Sequence, residues 1–594
     1  MLPREFLLLE GWVQGGREEV GTVRFPKRDG TRRSRVQRSI RKEIGSVGKG
    51  TGPGYVSETD GGVDMAVACP AAVRCRRKGE EKSTWKVCGG WMGTCQNGGQ
   101  VMCIAHAAGI VEPSQDGNEG VEWEVRKEGK HHSWMGAKLV EIKPIGPIIQ
   151  ELEKCRRNRS ISERMQWEFG WKTSVRTNGN LRQVFRVAIL QVLWNQQESI
   201  PATFAQQLSC EGSPGTPFTV RCTPFDASSP LFSESHLVGI VSNTWHAQND
   251  TILYMLDLKA LPGIEGSLML DEKCQAMGML MLPVQKKGSQ FELPLAAPTR
   301  ILATALPELF EGSTISHNQI TQKNASHTIF SLLDSIVLIS GPTFASGIVL
   351  GEGWILSSAH AFPDINGASQ PEQAIQVRVQ KTDSLGRPHF SWHKGILFWK
   401  SVPSLDAALL KLLNPPRHLK GLSCLQKDDY QIGKHVWIIG HAHPQSTLNL
   451  PSSIYGGTIS SVEKDADGLP TVVQTTANVH PGCSGGALVD SNGDFIALVA
   501  GNSVHKTGHT LPHLNFCVPF SMLRSIVSAA LSGIEDDQKM NQLLKAQQKW
   551  AQYPSVLDLG RRKSAENQLE RERDLPPALA RFLRNNKFQL QSKL

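Results

Sequence analysis

The chain has 594 residues, enough for about four domain-sized units at roughly 150 residues each. With 40% hydrophobic and 20% charged residues it can bury cores, which excludes wholesale disorder, and no run approaches the roughly 18 apolar residues of a membrane-crossing helix. The net charge of +9 permits weak attraction to nucleic acid or anionic membrane but establishes neither.

At the amino end Leu7-Leu8-Leu9 is flanked by Glu5 and Glu10, unlike the continuous apolar stretch of a secretory signal, so export is not expected. The cluster Arg32, Arg33, Arg35, Arg38, Arg41 and Lys42 has no aromatic platform or recognition-helix pattern beside it, and reads as a solvated tail rather than a nucleic-acid site. Five cysteines between Cys69 and Cys103 are spaced by 6, 13, 7 and 8 residues. Without a C-x-x-C pair they do not form a zinc signature, so no metal is expected and free thiols are the default. Residues 1–110 show little hydrophobic periodicity and are left without a fold, as a disordered segment or one foreign to the protein.

Residues 111–310 are read as a degenerate copy of a later segment. Pro262-Gly263-Ile264-Glu265-Gly266-Ser267-Leu268 parallels Pro481-Gly482-Cys483-Ser484-Gly485-Gly486-Ala487 at an offset of 219, and Gly239-Ile240-Val241-Ser242 parallels Gly457-Thr458-Ile459-Ser460 at 218. In this register Glu265 stands opposite Ser484 and Val187 opposite Asp406. Packing, substrate presentation and self-association are all open to such a copy, and the sequence does not rank them.

Residues 325–530 consist of short apolar or alternating runs divided by Gly, Pro, Asn and Asp, which predicts two small antiparallel barrels with a cleft between them. Three segments there supply what acyl transfer demands. Glycines around Ser484 allow a tight turn that aims backbone N–H groups at a developing oxyanion. His360 follows the run Trp354–Ser357 and is the candidate general base. Asp406 heads the apolar run Ala407–Leu412 and is the candidate for holding the imidazole tautomer. Cys483 competes as nucleophile because a thiolate is intrinsically reactive, but the residue followed by Gly-Gly is Ser484.

From 531 to 594 a short helical tail is expected, with Leu579, Phe582 and Leu583 on one face of an amphipathic segment. It ends in Ser592-Lys593-Leu594, a tripeptide read by a peroxisomal import receptor, which predicts the peroxisome (glyoxysome) matrix.

The stretches Ala345-Ser346-Gly347-Ile348-Val349-Leu350, Ser357-Ser358-Ala359-His360, Asp406-Ala407-Ala408-Leu409-Leu410-Lys411 and Gly482-Cys483-Ser484-Gly485-Gly486 resemble trypsin-like serine proteases of the Deg/HtrA type. With Ser592-Lys593-Leu594 and Pro512-His513-Leu514-Asn515-Phe516 added, the chain resembles the peroxisomal (glyoxysomal) processing proteases of that family. The resemblance implies an all-β fold, a chymotrypsin-like double barrel preceded by a degenerate protease-like domain, and no PDZ domain. It implies oxyanion donors at the N–H groups of Gly482 and Ser484, a primary pocket with Asn478 near its base and Val499, Ala500 and Gly501 along its wall, and no cofactor. Its implied partners are precursor proteins carrying type 2 presequences, and with no carboxylate in the pocket a small or neutral side chain is expected there rather than Arg or Lys. A general degradative protease, a non-catalytic pseudoprotease and a nucleic-acid binder are the competing readings.

Overall fold

The computed structural model describes residues 68–532 apart from several connecting segments, all within the unit Met65–Leu594. The basic cluster near the amino end, Cys95, the segment 578–584 and Ser592-Lys593-Leu594 lie outside the described residues.

Runs of small and β-branched residues form β1 (Cys69–Arg77), β2 (Lys86–Thr94), β3 (Val101–His106), β4 (Val121–Lys127), β5 (Met135–Pro144), β6 (Trp167–Phe169) and β7 (Arg186–Val192). Then come β8 (Pro217–Cys222), β9 (Ser235–Ala247), β10 (Asp250–Asp257), β11 (Leu268–Leu270), β12 (Ala276–Leu280), β13 (Val284–Lys286), β14 (Glu292–Leu293) and β15 (Leu295–Pro298). One closed barrel has the order β1-β2-β3-β7-β5-β4 and a second β8-β9-β10-β15-β12-β11, while β6, β13 and β14 form a small separate sheet.

The second half repeats the plan. β16 (Ile336–Ser340), β17 (Phe344–Gly351), β18 (Trp354–Ser358), β19 (Ile375–Thr382), β20 (Pro388–Lys400) and β21 (Ala407–Leu412) close as β16-β17-β18-β21-β20-β19. β22 (His435–Gly440), β23 (Ser453–Lys464), β24 (Pro470–Thr475), β25 (Ala487–Asp490), β26 (Phe495–Val504) and β27 (Thr510–Pro519) close as β22-β23-β24-β27-β26-β25. Strand for strand the orders match those of the first half. The fold is all-β, a chymotrypsin-like double barrel preceded by a second double barrel of the same plan.

Two-sided burial explains the continuous apolar runs. On β21, Ala408 and Leu410 point into their own barrel with Val337, Ile339 and Ile355, whereas Ala407 and Leu409 point into the core shared with the next barrel, alongside Leu356, Ile438 and Leu498. Burying each such leucine contributes about 1.5–3 kcal/mol. This packing seats the head of β21, and so Asp406, at the junction of the two barrels.

The degenerate copy begins at Cys69 rather than at 111, because β1, β2 and β3 supply half of its first barrel. Its interior is lined by Ala71, Val73, Cys75, Cys88, Cys103 and Ala105, small residues that leave a weak hydrophobic pattern in the sequence. The thiols act there as apolar fillers, and burial pushes Cys75 up to about 12.

The halves are joined along β9 and β23. Asn243 Nδ2 donates to Pro451 O and to Ser453 Oγ, both at 2.9 Å. Ile240 packs on the core of the second half, and Leu450 of the second half is buried in the core of the first.

Candidate active site

β18 runs straight into a short turn, Ala359–Ala361, which carries His360 off the strand end. Opposite it, Asp406 adopts φ +45, a left-handed conformation that few side chains other than Asn and Asp tolerate. The strain is held by neighbours: the Ala359 N–H donates to Asp406 O at 3.1 Å, and the Ala407 N–H donates to Ser401 Oγ at 2.8 Å. The carboxylate meets His360 twice, accepting from its backbone N–H at Oδ1 (2.9 Å) and facing its Nδ1 at Oδ2 (2.8 Å). The Asp406 side chain is 3% exposed and that of His360 36%. The acid is therefore dry and dedicated to one partner, while the imidazole opens to the cleft.

Ser484 comes from the facing barrel, on the loop between β24 and β25. The Cys483 N–H donates to His480 O at 3.0 Å with Gly482 at φ +99, the signature of a type II turn, in which the third position calls for glycine. Among the described residues neither the Gly482 nor the Ser484 N–H meets an acceptor. Gly485, at φ +82, approaches so closely that a Cβ there would lie 2.2 Å from Ser346 O. The two barrels meet at Val499 O, which accepts from the Gly485 N–H at 2.8 Å and from Ser358 Oγ at 3.1 Å. The residue after Ser484 and the residue two before His360 thus share one acceptor. Ser484 Oγ itself is turned to Ala500 O, at 3.1 Å, so in this structure the hydroxyl is bonded there and not to His360.

Ser346 stands in the sequence within the motif Ala345-Ser346-Gly347, with nothing beside it that marks a role. It staples the loop carrying Ser484 to β17: its N–H donates to Ser484 O, its Oγ donates to Gly482 O and accepts from the His441 N–H, each at 2.8 Å. A serine between alanine and glycine in a strand otherwise fit for burial was the available signal. Of the expected pocket residues, Asn478 is partly exposed, but the Val499 side chain is fully buried in the core, so only its backbone reaches the site. Cys483 is also fully buried, and burial pushes its thiol up to about 12, which leaves it without an available thiolate.

The first half repeats this scaffold without its chemistry. The Gly89 N–H donates to Glu265 O as the Ser346 N–H does to Ser484 O, and the Ala107 N–H donates to Arg186 O as the Ala359 N–H does to Asp406 O. Glu265 is therefore the counterpart of Ser484. The counterpart of Asp406 is Arg186 rather than Val187, because hydrogen bonding sets a register that short apolar runs leave ambiguous by one residue. The position after Ala107 is an alanine in the sequence, where His360 follows Ala359. Glu265 Oε2 accepts from the Gly263 N–H at 2.9 Å, so a carboxylate occupies the N–H group equivalent to that of Gly482.

Residues 345–498 match the trypsin-like peptidase domain family. Over 337 residues the chain is 25% identical to the peroxisomal leader peptide-processing protease of Mus musculus, covering 52% of this chain and 54% of that protein. The Homo sapiens protein of the same name is 25% identical over 333 residues, with the same coverage. The periplasmic serine endoprotease DegP of Escherichia coli K12 is 25% identical over 188 residues, 31% of this chain and 35% of that one. The chain spans about half the length of the peroxisomal relatives it matches.

Proposed function

From a chain that carries a trypsin-like peptidase domain and resembles Deg/HtrA and peroxisomal processing proteases, we propose a serine endopeptidase that removes N-terminal presequences from imported peroxisomal proteins. The observation that carries the reading is the buried Asp406 bonded twice to His360, together with a Gly482–Ser484 turn whose two N–H groups meet no acceptor among the described residues. For attack the Ser484 hydroxyl has to leave Ala500 O for the imidazole. His360 then accepts the proton as Oγ attacks the scissile carbonyl, Asp406 stabilises the imidazolium, and the N–H groups of Gly482 and Ser484 receive the oxyanion. The proton passes to the leaving amine, and water resolves the acyl-enzyme by the same steps. The catalytic groups are all the protein's own, so the reading calls for no cofactor. The names of the relatives support the processing role and the peroxisomal setting.

Incubation of the purified protein with intact presequence-bearing precursors tests this. One defined amino-terminal cut is expected, abolished in Ser484→Ala together with labelling by a fluorophosphonate. Many small fragments would replace processing with general degradation, and a folded protein that neither cuts nor labels would end the enzyme reading.

A further inference from the structure

Asp257 ends β10 of the first half, yet both of its carboxylate oxygens serve the second. Oδ2 accepts from the Gly456 N–H at 2.8 Å and Oδ1 from Asn478 Nδ2 at 2.5 Å. Asn478 lies six residues before Ser484. Its neighbour Val479 is tied to the strand behind the serine by Asn502, whose Nδ2 donates to Val479 O at 2.7 Å, and two residues earlier on that strand Ala500 O holds Ser484 Oγ. Asn478 is thus fixed on one side by the wall next to the nucleophile and on the other by a residue of the first half.

The bond also sets which way the amide faces. An ionised carboxylate only accepts hydrogen bonds, so Asn478 gives Asp257 its NH2 and turns its carbonyl oxygen away. Among the described residues no hydrogen bond reaches that oxygen. We propose that Asp257, contributed by the half lacking a nucleophile, is a positioning residue for the substrate side-chain pocket: it orients Asn478 so that the pocket base offers an uncharged hydrogen-bond acceptor. The inference rests on the readings of Ser484 as nucleophile and Asn478 as pocket base. Its consequence is that the first half shapes selectivity. A side chain with one donor hydrogen is favoured over an apolar one of the same shape, and the charge of Asp257, engaged by two N–H donors, is not offered to a substrate cation.

The test uses the full chain and two pairs of peptides that differ only before the scissile bond, Ser against Ala and Thr against Val. The wild type is expected to favour the donor member of each pair by at least about tenfold in kcat/KM. In Asp257→Asn the oxygen must stay on the Gly456 N–H, so the new NH2 faces Asn478 and reverses its amide. The preference is then expected to vanish, through KM, while fluorophosphonate labelling of Ser484 keeps its rate. In the double variant Asp257→Asn/Asn478→Asp the pairing is restored with a carboxylate oxygen at the base, and peptides with Lys at that position should gain at least about tenfold relative to Val. Unchanged preferences in both variants would overturn the proposal, as would an equal loss for all peptides, which is what a purely structural contact predicts. Absence of labelling in the wild type would instead defeat the reading of Ser484, and is scored separately.

Discussion

At the residue scale the decisive group is Asp406, because a nearly dry carboxylate with both oxygens engaged has no tolerance for an amide in its place. In Asp406→Asn one position still accepts the His360 N–H, but the NH2 then faces Nδ1 and forces the tautomer whose Nε2 is protonated and unable to take the serine proton. A loss of kcat of about 10⁴-fold is expected, with little change in thermal midpoint, by peptide cleavage and calorimetry. A loss under tenfold would remove Asp406 from the relay. His360, Asp406 and Ser484 stand out as candidates in the sequence, since each stands at a strand end or a glycine-flanked turn where chemistry-bearing residues contrast with apolar neighbours. For Ser346 the sequence shows only a polar residue in a strand otherwise fit for burial, and its partners Gly482, Ser484 and His441 are more than 90 residues away.

At the scale of the element, β17 holds the loop that carries Ser484. Ser346→Ala removes the hydroxyl that joins Gly482 O to the His441 N–H and leaves one buried and one half-buried backbone group without that partner, a cost of about 1–3 kcal/mol. The expected outcome is a drop in kcat of roughly 10- to 100-fold with KM nearly constant, because the turn bearing the oxyanion donors loses its anchor. A variant with wild-type kcat would mean that the backbone bond from Ser346 to Ser484 O suffices. Strands such as β18 and β21 were readable from their apolar runs. β20 leaves no such pattern, since Trp392, Ile396, Leu397 and Phe398 are exposed on it and its 13 residues show no clean alternation.

For the whole molecule, the contact between the halves carries a titrating group. Burial raises Asp257 to about 6, opposed by the hydrogen bonds from Asn478 and Gly456 and by His513 of β27, with Tyr455 of β23 also close. The folded state therefore holds a proton that the unfolded chain, with its ordinary carboxylate value of 3.8, has released. The associated stability is fully present below about pH 4 and is lost as pH rises through about 6. Denaturation of wild type and Asp257→Asn across this window should give a stability difference that changes with pH in that direction. A constant difference would exclude Asp257 as the titrating group. The duplication behind this contact was visible as paired glycine turns 219 residues apart, but the start of the first copy was not, because alanine and cysteine line its first barrel.

The order of residues by itself determined an all-β chain, three candidate groups for acyl transfer and the presence of a second copy with glutamate opposite Ser484, because periodicity and turn chemistry are local. Only the tertiary structure decided that Arg186 stands opposite Asp406, that Glu265 covers the N–H of Gly263, that Ser346 anchors the Ser484 loop, and that Asp257 reaches across to Asn478. Each of these depends on hydrogen bonds between distant segments whose register is set when barrels close and pack. Those contacts leave no periodic trace along the chain.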